Sequence, residues 1–215
     1  MDLAARLASI RERIVKTGRN PAEITIVAVT KGFDASVCRL AIQAGLRILG
    51  ENRVQEALNK MDEVQGAEWH LIGHLQTNKV RLAAGKFALI QSVDSHHLAQ
   101  ALAHVAPKQQ VLVEVNVARE PQKSGVDPEQ VLTFVKDAAD LVDVRGLMAM
   151  GPTHGDPAPA FNELRKLRDE AEQRIGRSLP VLSMGMSGDF EVALASGSTM
   201  LRLGQALFGP RPSPK

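Results

Sequence analysis

The chain is short of the residues that several large protein classes depend on. A single cysteine, Cys38, in 215 residues excludes an intrachain disulfide. Aromatic residues make up only 3% of the chain, tyrosine is missing, and no basic run is interleaved with aromatics. With 26 basic against 24 acidic residues, nucleic acid and anionic membranes are poor candidate partners. No apolar stretch approaches the ~18 residues that span a bilayer. The opening MDLAARLASIRERIVK reads as an amphipathic, charged helix rather than a signal peptide, so the expected location is the cytoplasm. HExxH is missing too, and one cysteine cannot furnish a thiolate cluster, so no metal site is expected.

What the chain does have is 44% hydrophobic content, enough to bury a sizeable core, arranged in short runs. Eight of them read as strands: 24–30, 46–50, 68–73, 87–93, 110–117, 144–150, 179–185 and 200–204. Amphipathic helical stretches separate them. Asp127-Pro128-Glu129-Gln130 predicts an N-cap with a capping-box glutamine, Asn52 and Ser95 predict caps of the same kind, and Gly45, Gly85 and Gly197 suit left-handed helix ends. Eight strands, each followed by a helix, fit a closed (β/α)8 TIM barrel with an extra N-terminal helix better than an open doubly wound sheet. That barrel is expected to occupy residues 1–215 as one domain, with a short last helix and a fraying tail around Pro210, Pro212 and Pro214.

Barrel enzymes carry their chemistry at the carboxyl ends of the strands. The run ITIVAVT ends there in Lys31, where a desolvated amine can attack a carbonyl, although a lysine just past a strand can equally snorkel to solvent. Strand seven runs into Gly185, Ser187 and Gly188, and strand eight into Gly204 and Gln205. These are the two loops from which barrels frequently bind phosphate. Asp189 and Glu191 would compete with an anion there and must point away. Arg202, inside the apolar run MLRLG, needs an acceptor, either an internal carboxylate or a ligand's ring nitrogen or phosphate. Asn52 can contact a ligand or simply cap the following helix. His70 and His74 fall on a strand and a loop, which does not make a metal site, and Met148 and Met186 suit a core or a pocket wall.

Lys31, LGENRVQEALNK, WHLIGHLQTNK, VLVEVNVAREPQKSGV, VRGLMAM and LSMGMSGDFEVALASGSTMLRLGQALFG together resemble the pyridoxal phosphate homeostasis protein family over nearly the whole chain. The resemblance implies a barrel related to the N-terminal domain of alanine racemase, holding pyridoxal 5′-phosphate as an aldimine of Lys31. It further implies Ser187, Gly204 and Gln205 at the phosphate and Arg202 near the pyridine nitrogen, with Asn52, His70 and Met148 lining the pocket. Gln205 departs from the threonine that many relatives carry. The phosphate is expected on strands opposite Lys31.

Alanine racemase takes a second base, a tyrosine, from an additional domain, and this chain has no tyrosine. The resemblance therefore implies a non-catalytic binder in vitamin B6 homeostasis, for which apo-enzymes that require pyridoxal phosphate are candidate partners; with no large exposed apolar run in the sequence, a monomer is expected. A racemase of low activity and a class I aldolase acting on a phosphorylated sugar are the alternatives.

Overall fold

A computed structural model describes residues 2–210. The strands expected from the apolar runs form a closed parallel barrel in chain order. They are β1 (Thr25–Val29), β2 (Ile48–Glu51), β3 (Glu68–Leu71), β4 (Leu89–Val93), β5 (Gln110–Glu114), β6 (Asp143–Met148), β7 (Val181–Ser183) and β8 (Met200–Leu203). The helices are α1 (Leu3–Lys16), α2 (Ala35–Gln43), α3 (Val54–Met61), α4 (Val80–Ala83), α5 (His96–Val105), α6 (Val131–Ala139), α7 (Ala158–Ile175), α8 (Phe190–Ala195) and α9 (Gln205–Phe208).

Strand alternation sorts the apolar residues into two cores. Val27, Leu89, Leu112, Met148 and Met200 fill the barrel interior. Their neighbours Ala28, Ile90, Val113 and Leu147 turn outward to meet Leu98, Phe134 and Leu164 of the surrounding helices. Each fully buried leucine or phenylalanine contributes about 1.5–3 kcal/mol. Gly146 is dictated by the close approach of β6 to β7, since a Cβ there would lie 1.8 Å from Val181 O. The extra helix α1 buries Leu3, Leu7, Ile10 and Ile14, one stripe at helical spacing, and lies against α8 and α9.

Several boundaries differ from expectation for local reasons. Ser95 caps α5 as predicted, accepting from the Leu98 amide at 3.3 Å. Asp127 makes no side-chain cap, because residues 128–130 form a 3-10 turn in which the Gln130 amide goes to the Asp127 carbonyl at 2.8 Å. Arg53, not Asn52, stands at the N-cap of α3. β5 ends at Glu114, well before residue 117, because Asn116 turns the chain by donating to Glu120 O at 3.0 Å and Lys123 O at 3.4 Å. The expectation for Pro212 and Pro214 lies outside the described residues.

The barrel closes through β1 and β8, whose register runs from Thr25 opposite Met200 to Ala28 opposite Leu203. The loop after β8 is therefore beside Lys31, not across the barrel from it. The expectation of opposite strands is corrected by this closure.

Candidate functional site

A cavity of about 400 Å³ occupies the carboxyl end of the barrel. Lys31, in the turn that follows β1, borders it. Asn52 contributes from the loop after β2, and Gly73 from the loop after β3. Those two loops touch so closely that a Cβ on Gly73 would stand 2.5 Å from Asn52 O. Met148, at the end of β6, forms part of the wall. The loop after β5 adds Ser124 and is anchored by Lys123, whose ammonium donates to Gly151 O at 2.7 Å.

Ser187, Gly188, Gly204 and Gln205 bring the loops after β7 and β8 to the same cavity. The Ser187 hydroxyl oxygen accepts from the Ala206 amide at 3.0 Å, joining the two loops. A hydroxyl that accepts once can still donate once. Of the two carboxylates that threatened this anion-ready surface, Glu191 points away and pairs with Arg13 of α1 at 2.6 Å. Asp189 turns back on its own loop and accepts from the Met186 amide, also at 2.6 Å.

Arg202 settles the question that strand parity left open, because its guanidinium enters the barrel interior and reaches the cavity. Its Nη1 donates to Ser183 O and Ser183 Oγ, both at 2.8 Å, and its Nη2 to Ala149 O at 2.8 Å. These acceptors are neutral, and among the described residues no carboxylate pairs with Arg202 within 4.0 Å. Burial lowers its pKa to about 10 against the attraction of Glu114 and Asp189, which still leaves it protonated at neutral pH.

His70 does not reach the cavity wall. It faces inward one pleat below the mouth, where Ile72, the next inward residue, takes the wall position. Its Nδ1 meets Gln91 Nε2 at 3.0 Å and its Nε2 meets Glu68 Oε1 at 3.1 Å. Ser183 Oγ donates to Gln91 Oε1 at 2.7 Å, so His70, Gln91, Ser183 and Arg202 form one buried polar chain. Burial outweighs Glu68 and holds the imidazole pKa below its ordinary value. His74 stands apart at the mouth, paired with Asp94 at 3.3 Å. Among the described residues no group of three or more histidine, cysteine or acidic side chains could hold a metal ion.

Glu114 is the ionisable cavity residue that sequence reasoning missed. It ends β5, is 4% exposed and borders the cavity. Burial, reinforced by the charge of Asp94 and opposed by Arg202, pushes its carboxyl up to about 7. The available signal was one carboxylate inside the apolar run VLVEV.

A parallel barrel with a lysine in the turn after β1 and two loops suited to an anion after β7 and β8 is the arrangement of a defined class of protein. The family model of the alanine racemase N-terminal domain matches residues 3–212. Within that class, the chain belongs to the pyridoxal phosphate homeostasis protein family. It is 41% identical to the pyridoxal phosphate homeostasis protein of Aquifex aeolicus, covering 98% of this chain and 99% of that one. The Escherichia coli protein of the same name is 36% identical, with 98% and 97% covered. PipY of Synechococcus elongatus, solved with PLP bound, is 35% identical at a TM-score of 0.86, covering 96% of this chain and all of that one. Alanine racemase of Corynebacterium glutamicum shares the fold at a TM-score of 0.79 and 18% identity, with only 61% of its length covered.

Proposed function

We propose that this chain is a single-domain binding protein for pyridoxal 5′-phosphate, attached covalently through Lys31, and that it serves vitamin B6 homeostasis rather than robust catalysis. The observation that carries the reading is the make-up of one cavity, in which an amine, a buried guanidinium and two amide-bearing loops border about 400 Å³. That volume falls within the ~300–1,000 Å³ of small-molecule sites. The donor set fits the group, since the Ser187 hydroxyl and loop amides match a phosphate, and the Lys31 amine matches an aldehyde. The PLP held by the PipY relative supports the same reading.

When bound, the cofactor supplies an electrophilic carbonyl carbon and an electron-withdrawing ring. Ser187, Gly204 and Gln205 anchor the phosphate end, the glutamine with an amide where a hydroxyl is usual. Arg202 presents a fixed positive charge, which disfavours protonation of a ring nitrogen beside it and so weakens the ring as an electron sink. Asn52 and Met148 set the walls. The proposal extends to a cytoplasmic monomer that hands the cofactor to apo-enzymes requiring it.

A low-activity racemase is the second reading, and Glu114 favours it, because a carboxyl with a pKa of about 7 in this cavity can exchange protons at neutral pH. The test starts with visible spectra of the native protein and Lys31→Ala, before and after adding pyridoxal phosphate. A yellow band that is lost in the variant, with residual non-covalent retention, supports covalent attachment at Lys31. An unchanged band in the variant refutes that assignment, and no band in either protein overturns the cofactor itself. Exchange of the alanine α-proton in D2O, dependent on Lys31 and lost in Glu114→Gln, would instead establish the racemase.

A further inference from the structure

Under the turn that carries Lys31 lies a buried set of charges that the binding cavity does not use. Lys60, on the inner face of α3, is 7% exposed and Glu51, at the end of β2, is fully buried. The Lys60 ammonium donates to Glu51 Oε1 at 2.7 Å, to Glu56 Oε1 at 2.8 Å and to Thr30 O at 3.0 Å, which accounts for its three protons. Glu56 Oε1 also accepts the Gly32 amide at 2.6 Å. Glu51 Oε1 accepts the Thr30 hydroxyl at 2.6 Å.

Lys31 sits between the two backbone groups gripped by this set. The peptide group before its Cα presents the Thr30 carbonyl, bound by Lys60. The peptide group after its Cα presents the Gly32 amide, bound by Glu56. Glu56 and Lys60 are themselves one helical turn apart and paired, so a single unit on α3 holds both sides.

Stability is a poor explanation for such an arrangement, because desolvating ions offsets most or all of their attraction and a buried pair replaced by apolar groups often costs nothing. Here the cost is visible. Glu51 Oε2 is buried without a hydrogen-bond partner, and burial drives the Glu51 carboxyl pKa upward against its bonds from Lys60 and Thr30. Burial also works against the Lys60 ammonium, but its bonds to Glu51 and Glu56 outweigh this and keep its pKa above the ordinary value.

We propose that Glu56 and Lys60, seated by Glu51, are positioning residues that clamp both peptide groups flanking Lys31 and so fix the direction in which its amine enters the cavity. This inference rests on Lys31 being the attachment residue.

The test follows attachment of pyridoxal phosphate to native protein, Lys60→Met and Glu56→Gln by borohydride trapping and mass spectrometry, and total retention by equilibrium dialysis. Retention is also measured with each substitution placed in a Lys31→Ala background. The clamp predicts that either substitution slows attachment about tenfold or more, the order of loss expected when a reacting group is displaced by a fraction of an ångström. Retention in the Lys31→Ala background should change less than about twofold, because the phosphate loops are untouched. The double variant Glu51→Gln/Lys60→Met keeps the volume and removes the two most buried charges together, so it guards against failure to fold, and it should slow attachment equally.

Native attachment rates in all these variants would overturn the clamp. So would an equal loss of retention with and without Lys31, which would mark general structural damage. Covalent label still present in Lys31→Ala would refute the attachment reading itself, and the clamp with it, by a separate signal.

Discussion

Glu114 offers a quantitative check on the electrostatics of the cavity. Its carboxyl has an ordinary pKa of 4.5 and is raised to about 7, with burial the largest cause. In the cofactor-free protein the folded state therefore binds a proton that the unfolded state has released, throughout the window from 4.5 to about 7. An acid raised in this way makes stability fall as pH rises through that window, and the full penalty is present above it. A shift of that size corresponds to about 3.4 kcal/mol at most.

Glu114→Gln keeps the shape of the side chain and removes the titration. Urea unfolding of both proteins, from about pH 5 to about pH 8.5, yields the difference between them at each pH, in which all other titrating groups cancel. That difference should move in favour of the variant by about 2.5 kcal/mol across the range, the remainder having accrued below it. A difference constant to within about 0.5 kcal/mol would mean that Glu114 is ionised in the folded protein with an ordinary pKa, and that burial does not desolvate its carboxyl.

Two further substitutions probe the site and its scaffold. Ser187→Ala should weaken retention of pyridoxal phosphate by about 1–3 kcal/mol, the scale of one hydrogen bond to a charged group, when measured by dialysis in the Lys31→Ala background. Unchanged affinity there would place the phosphate elsewhere. Gly146→Ala would drive a methyl group into Val181 O, so β6 and β7 must part and thermal unfolding should show a loss of about 3 kcal/mol or more. A native melting temperature in that variant would refute the strand contact.

The barrel was legible in the sequence because each strand is a short apolar run with a helix signal after it, and the burial of β4 and β8 along their whole length bears this out. Lys31, Asn52, Met148, Ser187, Arg202, Gly204 and Gln205 do meet at one cavity, since the carboxyl ends of strands and the loops after them converge in any such barrel. His70 and Glu114 show where the reading gives out. Both lie within strands and both face inward, so their fate depends on depth along the barrel, and that is set by register rather than by residue type. The register of β4 against β5 and of β5 against β6 shifts locally, which no apolar pattern reveals. The grip of Lys60 and Glu56 on the backbone around Lys31 was equally hidden, because an acidic and a basic residue on an amphipathic stretch read first as surface.

The pairing of β1 with β8 also governs when the site can exist during synthesis. Lys31 is made before Ser187, Arg202 and Gln205. Until β8 has emerged, β1 is an open sheet edge, its amide and carbonyl groups unpaired and exposed to other chains. Under the proposed function, a nascent chain therefore carries the Lys31 amine before it carries the loops after β7 and β8 that would hold the phosphate. If those loops are the phosphate anchor, loading follows closure, and the concentration of free pyridoxal phosphate after release, not during translation, would decide how much of the protein is occupied.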